Sequence, residues 1–144
     1  MTIIVRFPEK VNPMFHPNQF QVNETWILFK LNDAPVITDR DGDFNVFGLM
    51  DAASCFILDV GFVPADSKEL SQIEAKRMLK HAHSHKRQYP KALMISEGQT
   101  AKNFTIEAER CGIRVSRVRE DQLQLLIGEA REGFQEHIGK GRVQ

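Results

Sequence analysis

The spacing of apolar residues along this chain changes twice, and each change marks a different kind of element. TWILFKL (25–31) is a run of aromatic and branched residues that stops at Asn32-Asp33, which predicts a strand. FNVFGLM (44–50) is a second such run, ended by DAAS (51–54). CFILDVGFV (55–63) alternates, which predicts a third strand with Phe56, Leu58, Val60 and Phe62 on one face. VIT (36–38) continues or pairs with the first strand, and Asp41-Gly42 is a turn signal. Together these pieces predict an antiparallel meander.

After Pro64 the period lengthens to that of a helix. Asp66 or Ser67 is the expected N-cap, and the helix should run to about residue 87 with Leu70, Ala75, Met78, Leu79 and Ala82 on one side. Ile73 falls off that side. Pro90 breaks the chain before a short buried strand, KALMIS (91–96). Thr100 can cap a second helix ending at Cys111-Gly112, where Gly112 supplies the left-handed terminator. GIRVSRV (112–118) is the last strand. A final helix from near Glu120 carries the stripe Leu123, Leu126, Ile127, Ala130, Phe134 and Ile138. Residues 1–24 read as an irregular arm lying on the domain or on a partner subunit. Ile3, Ile4 and Val5 are expected to form a short edge strand there, and Pro8, Pro13 and Pro17 block regular structure beyond it. The predicted organisation is an arm (1–24), one α/β domain (25–139) and a tail (140–144). The order β-β-β-α-β-α-β-α implies a mixed sheet with helices packed on its faces.

Composition narrows the function classes. With 144 residues the chain is one domain able to bury a core, and its 42% hydrophobic and 26% charged residues are ordinary for a globular protein. Formal net charge is zero, so any attraction to nucleic acid must come from a local basic surface. No segment is apolar for long enough to serve as a signal-peptide core or a membrane span, so a cytoplasmic protein with no membrane partner is expected. Cys55 and Cys111 sit inside apolar patterns, outside any CxxC pair or zinc-type His spacing, which reads as free thiols in a reducing compartment.

Three stretches share their text and order with a known family. FNVFGLMDAASCFILDVGFVPAD (44–66) resembles the second and third core strands of integrases and DDE transposases, with an Asp in the turn between them. ALMISEGQTAKNFTIEAERCGIRVS (92–116) resembles that family's strand, Ser-Asp-Asn-Gly, helix and strand. QLLIGEAREGFQEHI (124–138) resembles the terminal helix that carries the third acid. The resemblance covers roughly residues 25–138 and implies the ribonuclease H-like fold. It is to a degenerate form of the site, such as some uncharacterised bacterial domains show.

The family's reaction needs two divalent metals about 4 Å apart, held by clustered carboxylates. The resemblance places its first acid mid-strand, a few residues after a Trp. Here Trp26 is followed by Ile27, Leu28, Phe29 and Lys30, with no carboxylate. The second acid falls at Glu97, a Glu for the usual Asp. The third falls at Glu129 or Glu132, and only Glu129 flanks the apolar stripe. A second alignment takes FNVFGLMD as the first strand, which gives a triad of Asp51, Glu97 and Glu129. The competing reading makes Asp51 a hairpin-turn residue, Glu97 a solvated residue before a helix and Glu129 an exposed helix charge.

Other features point to binding. The run KRMLKHAHSHKRQYPK (76–91) is rich in Lys and Arg and has no acid, and Lys76, Lys80, His83 and Arg87 fall on the helix side away from its apolar residues. Such a stripe can meet phosphates or simply face solvent. His81 and His85 have the spacing of a helical metal pair, without a third ligand. DRDGD (39–43) resembles part of a calcium loop but lacks its later Glu. No Gly-rich phosphate loop and no serine nucleophile elbow occurs. Three functions follow. The first is a catalytically impaired domain that binds nucleic acid or protein, without a cofactor. The second is a Mg- or Mn-dependent nuclease or strand-transferase using Asp51, Glu97 and Glu129. The third is a structural module that self-associates, as a homodimer, through its arm. The missing first acid favours the first.

Overall fold

The computed structural model describes residues 14–40 and 42–141, with side chains as far as residue 137. The predicted strand at residues 3–5, Asp41 of the predicted turn, the side chain of Ile138 and residues 142–144 of the predicted tail lie outside that range. The elements are β1 (Thr25–Lys30), β2 (Phe44–Asp51), β3 (Ile57–Pro64), α1 (Gln72–Lys86), β4 (Ala92–Ser96), α2 (Lys102–Arg110), β5 (Arg114–Val118) and α3 (Gln124–Gly141). This is the predicted order. Short 3-10 turns at Pro17–Gln19 and Glu120–Leu123 precede β1 and α3.

The five strands form one sheet in the order β3-β2-β1-β4-β5. β1, β2 and β3 pair antiparallel, while β4 and β5 run parallel to β1. β1 lies at the centre because its run is apolar on both faces. Trp26 and Leu28 enter the core under α1 and α2, and Ile27 and Phe29 enter the core under α3. FNVFGLMD is therefore β2, which rules out the alignment that made it the first strand. Val36 forms a single bridge to Phe44 of β2, so VIT pairs with the second strand and not, as expected, with the first. No helix among the described residues is long and apolar enough to cross a membrane.

Three local expectations are corrected. The register of β2 and β3 shifts where Leu49 faces Asp59 and Met50 faces Ile57, so Leu58 is bulged out of the ladder. The bulge breaks the alternation: Leu58 packs with α1, Val60 packs on the α3 side, and Phe56 and Phe62 are exposed. The start of α1 is at Gln72, with Ser71 as N-cap accepting from the Glu74 amide, later than Asp66 or Ser67. Residues between Pro64 and Ser71 instead turn back toward α2, where Glu69 accepts from the Asn103 amide and the Leu70 carbonyl accepts from Asn103 Nδ2. That contact does the work expected of Thr100, and the N-cap position of α2 is Ala101, with no side-chain cap. Gly112, at φ 80°, ends α2 as predicted.

β3 is an edge strand whose outward groups are covered. The Phe62 amide donates to Glu74 Oε2, and the Val60 carbonyl accepts from Arg77, which also binds Glu74 and Asp59. A helix side-chain network thus occupies the positions at which another strand would pair.

Under α1, Tyr89 packs against His83 (ring centroids 4.3 Å apart) and Trp26 (6.4 Å). Burial, followed by a hydrogen bond with Cys111, pushes its phenol up to about 12 from 10. This is the chain's one tyrosine, so phenolate absorbance reports it alone. The protonated form is favoured by the fold, so the contribution is complete below pH 10 and is lost as pH rises from 10 toward 12. The expected titration midpoint is near 12 in native protein, and near 10 in urea. In a Tyr89→Phe variant, this part of the alkaline destabilisation should be absent from melting curves taken between those pH values.

Candidate functional site

In open α/β sheets, ligands gather beyond the C-terminal ends of the parallel strands. Here those ends are Phe29-Lys30 on β1 and Ser96-Glu97 on β4. The two strands run side by side, with Leu28 opposite Ile95. Phe29, which the resemblance sets at the place of the first acid, is 2% exposed and packed with Leu123, Leu126 and Ile127. Its neighbour from the last helix is Arg131. The guanidinium lies over the Phe29 ring at 5.9 Å, donates from Nε to the Lys30 carbonyl at 2.9 Å and pairs with Glu120 Oε2 at 2.9 Å. Arg131 is the main cause holding Glu120 below the usual carboxylate range, with help from Ser96 and Lys30. A cation held at three points therefore stands at this end of the sheet.

The three proposed acids do not converge. Asp51 is fully buried at the far end of β2. Its Oδ1 accepts from the Asn23 amide at 2.7 Å, and its Oδ2 accepts from the Ser54 amide and hydroxyl at 2.9 and 2.7 Å. Asn23 Oδ1 accepts in turn from Trp26 Nε1. Asp51 is thus a clamp between the β2–β3 turn and the lead into β1. Asp51 faces Trp26, and Trp26 faces Leu93, so Glu97 lies four residues further along β4. At roughly 3.3 Å per residue this is about 13 Å, well beyond the spacing of metal-bridging carboxylates. Glu97 is exposed, and its amide donates to the Val118 carbonyl. Glu129 is also exposed and stands close enough to Cys55, beside Asp51, to help burial raise the thiol's pKa. Two residues on along α3 the direction turns by about 200°, which is why Arg131 and not Glu129 reaches β1. Glu132 is exposed at a shallow groove with Asp33 and Gln135.

Among the described residues, no group of three or more His, Cys, Asp or Glu side chains is placed to hold a metal. The donors at the sheet end do not fit the two divalent ions that the resemblance implies, because an apolar ring and a guanidinium occupy the position where hard oxygen ligands are required. Arg131 and Glu120 were not legible as a pair in the sequence. Arg131 lies four residues after Ile127, beside the apolar stripe, and that spacing is the one signal of its inward direction.

No protein-family model and no curated protein matches the sequence. Solved structures do match. A chain of the simian T-cell lymphotropic virus intasome, determined in complex with PP2A regulatory subunit B56 gamma, aligns with 94% of this chain at a TM-score of 0.51 and 13% identity. The catalytic core domain of BIV integrase aligns with 84% of it at a TM-score of 0.51 and 12% identity. The fold is ribonuclease H-like. This ribonuclease H-like chain spans 75% of the BIV core but only 46% of the intasome chain.

The basic stripe on α1 is partly assembled. Lys76, Lys80 and Arg87 are exposed and, among the described residues, take part in no ion pair. Arg87 ends the helix in the left-handed conformation at φ 64°. His83 is half-buried against Tyr89. His81 and His85 are engaged separately: His81 Nδ1 lies 3.2 Å from Asp59, and the His85 ring stacks on Phe56 at 5.3 Å. In the DRDGD turn, Gly42 has φ 80° and its carbonyl accepts from the Thr38 hydroxyl.

Proposed function

We propose that this ribonuclease H-like domain acts by binding nucleic acid and does not cleave it. The observation that supports this most directly is Arg131, stacked on Phe29 and tied to Lys30 and Glu120 at the end of β1. A fixed positive charge repels the divalent ions that metal-dependent phosphoryl transfer uses. Lys76, Lys80 and Arg87 supply the phosphate contacts in this reading. Lys76 and Lys80 stand about 40° apart on the outer side of α1, and Arg87 follows at its C-cap.

Mobility-shift titrations of the protein with duplex DNA and RNA across a salt series test the binding. Three phosphate contacts at about −0.9 each give an expected slope of about −3 in log K against log salt on B-DNA. A Lys76→Glu, Lys80→Glu double variant should bind far more weakly at every sequence. Unchanged binding by that variant would exclude this surface. Cleavage assays with Mg and Mn should show no activity. Metal-dependent cleavage that disappears on Glu97→Ala would return the protein to the nucleases.

A further inference from the structure

The two edges of the sheet are treated differently. On β3 the outward groups are bound by Glu74 and Arg77. On β5 they are not. The Arg114 amide donates to Lys91 and the Val118 carbonyl accepts from Glu97, so residues 114, 116 and 118 turn their backbone groups toward β4. Val115 and Arg117 therefore turn theirs outward, and among the described residues nothing meets them. Beside this edge runs a groove of about 420 Å³ lined by Thr105, Ile106, Val115 and Arg117. Ile106 is 39% exposed there. An uncovered edge with a groove along it that presents Ile106 and Val115 is a template for one more strand.

We infer that the occupant is this chain's own arm, residues 2–6, added parallel to β5. Three observations select it. TIIVRF (2–7) has strand composition, and Pro8 closes it. The chain enters the described domain beside the C-terminal end of β5, where the Phe15 amide donates to the Gln122 carbonyl four residues past Val118. A strand at residues 2–6 laid parallel to β5 would end nearest that point of entry. The reach is also sufficient: thirteen residues extend to about 43 Å, and β5 is about 17 Å long. Branched side chains at alternate positions of the arm would enter the groove beside Val115 and Ile106.

Hydrogen exchange on the full chain tests this, read together with its mass by light scattering. In a monomer, the amides of residues 3–5 and of Val115 and Arg117 should exchange at least about tenfold more slowly than in an Ile4→Pro, Val5→Pro double variant. Adjacent prolines remove a donor in either register and leave the described domain untouched. Protection that is found only in a dimer, and is lost on dilution, would assign the edge to a second copy and overturn the assignment within one chain. Arm amides that exchange at the rate of unstructured peptide would overturn strand addition altogether.

Discussion

Replacing Asp51 by Ala is expected to destabilise the domain by about 3 kcal/mol, because it removes a fully buried carboxylate that accepts from two backbone amides and a hydroxyl. For a chain of this length that lowers Tm by about 10 °C. The loss spreads because the clamp is serial. Without the carboxylate, Asn23 is no longer held in its left-handed conformation at φ 65°, and Trp26 Nε1 loses its acceptor's alignment. Asp51→Asn should cost less: one carbonyl oxygen still accepts from Asn23, while the amide nitrogen faces the Ser54 amide, also a donor. Thermal melts of the two variants separate this role from a catalytic one. A wild-type melting temperature for Asp51→Ala would end the clamp interpretation.

Gly61→Val should be the other severe change. A Cβ at residue 61 would lie 2.5 Å from Met78 Sδ and 2.9 Å from Leu70 Cδ2. Met78 is fully buried, so it has little room to move. Overpacking of this kind costs about 2–3 kcal/mol. The same Cβ would come 3.3 Å from Glu74 Oε2, the group that covers the Phe62 amide on the β3 edge. Exposed edge groups favour pairing between molecules, so the variant should also aggregate sooner on heating. Urea titrations of Gly61→Val, Met78→Ala and the pair measure the contact. If the clash is the cause, the pair loses less than the sum of the single changes. Strict additivity would place the cost elsewhere.

Much of the architecture was legible because periods and breaks are local. The run TWILFKL is apolar on both sides, which is the mark of a central strand, and Pro90 and Gly112 marked real boundaries. The errors lie where a local rule met a distant partner. Ser67 and Thr100 are reasonable caps by type, yet Ser71 caps α1, and Glu69, far from α2 in the chain, reaches its first turn. Strict alternation in 55–63 failed at a bulge, which no residue of that run announces.

For the site, the sequence by itself showed that Ile27, Leu28, Phe29 and Lys30 follow Trp26, with no carboxylate among them. It could not determine what stands in that place. Arg131 meets Lys30 across 101 residues of chain, and Glu120 completes the arrangement from a turn. The same holds for Asp51, whose partners include an amide 28 residues earlier. Propensity and period act over a few residues, whereas a side chain's electrostatic partners are set by how helices and strands dock. Only the tertiary structure could therefore decide that the end of β1 holds a guanidinium and that Asp51 is a structural clamp.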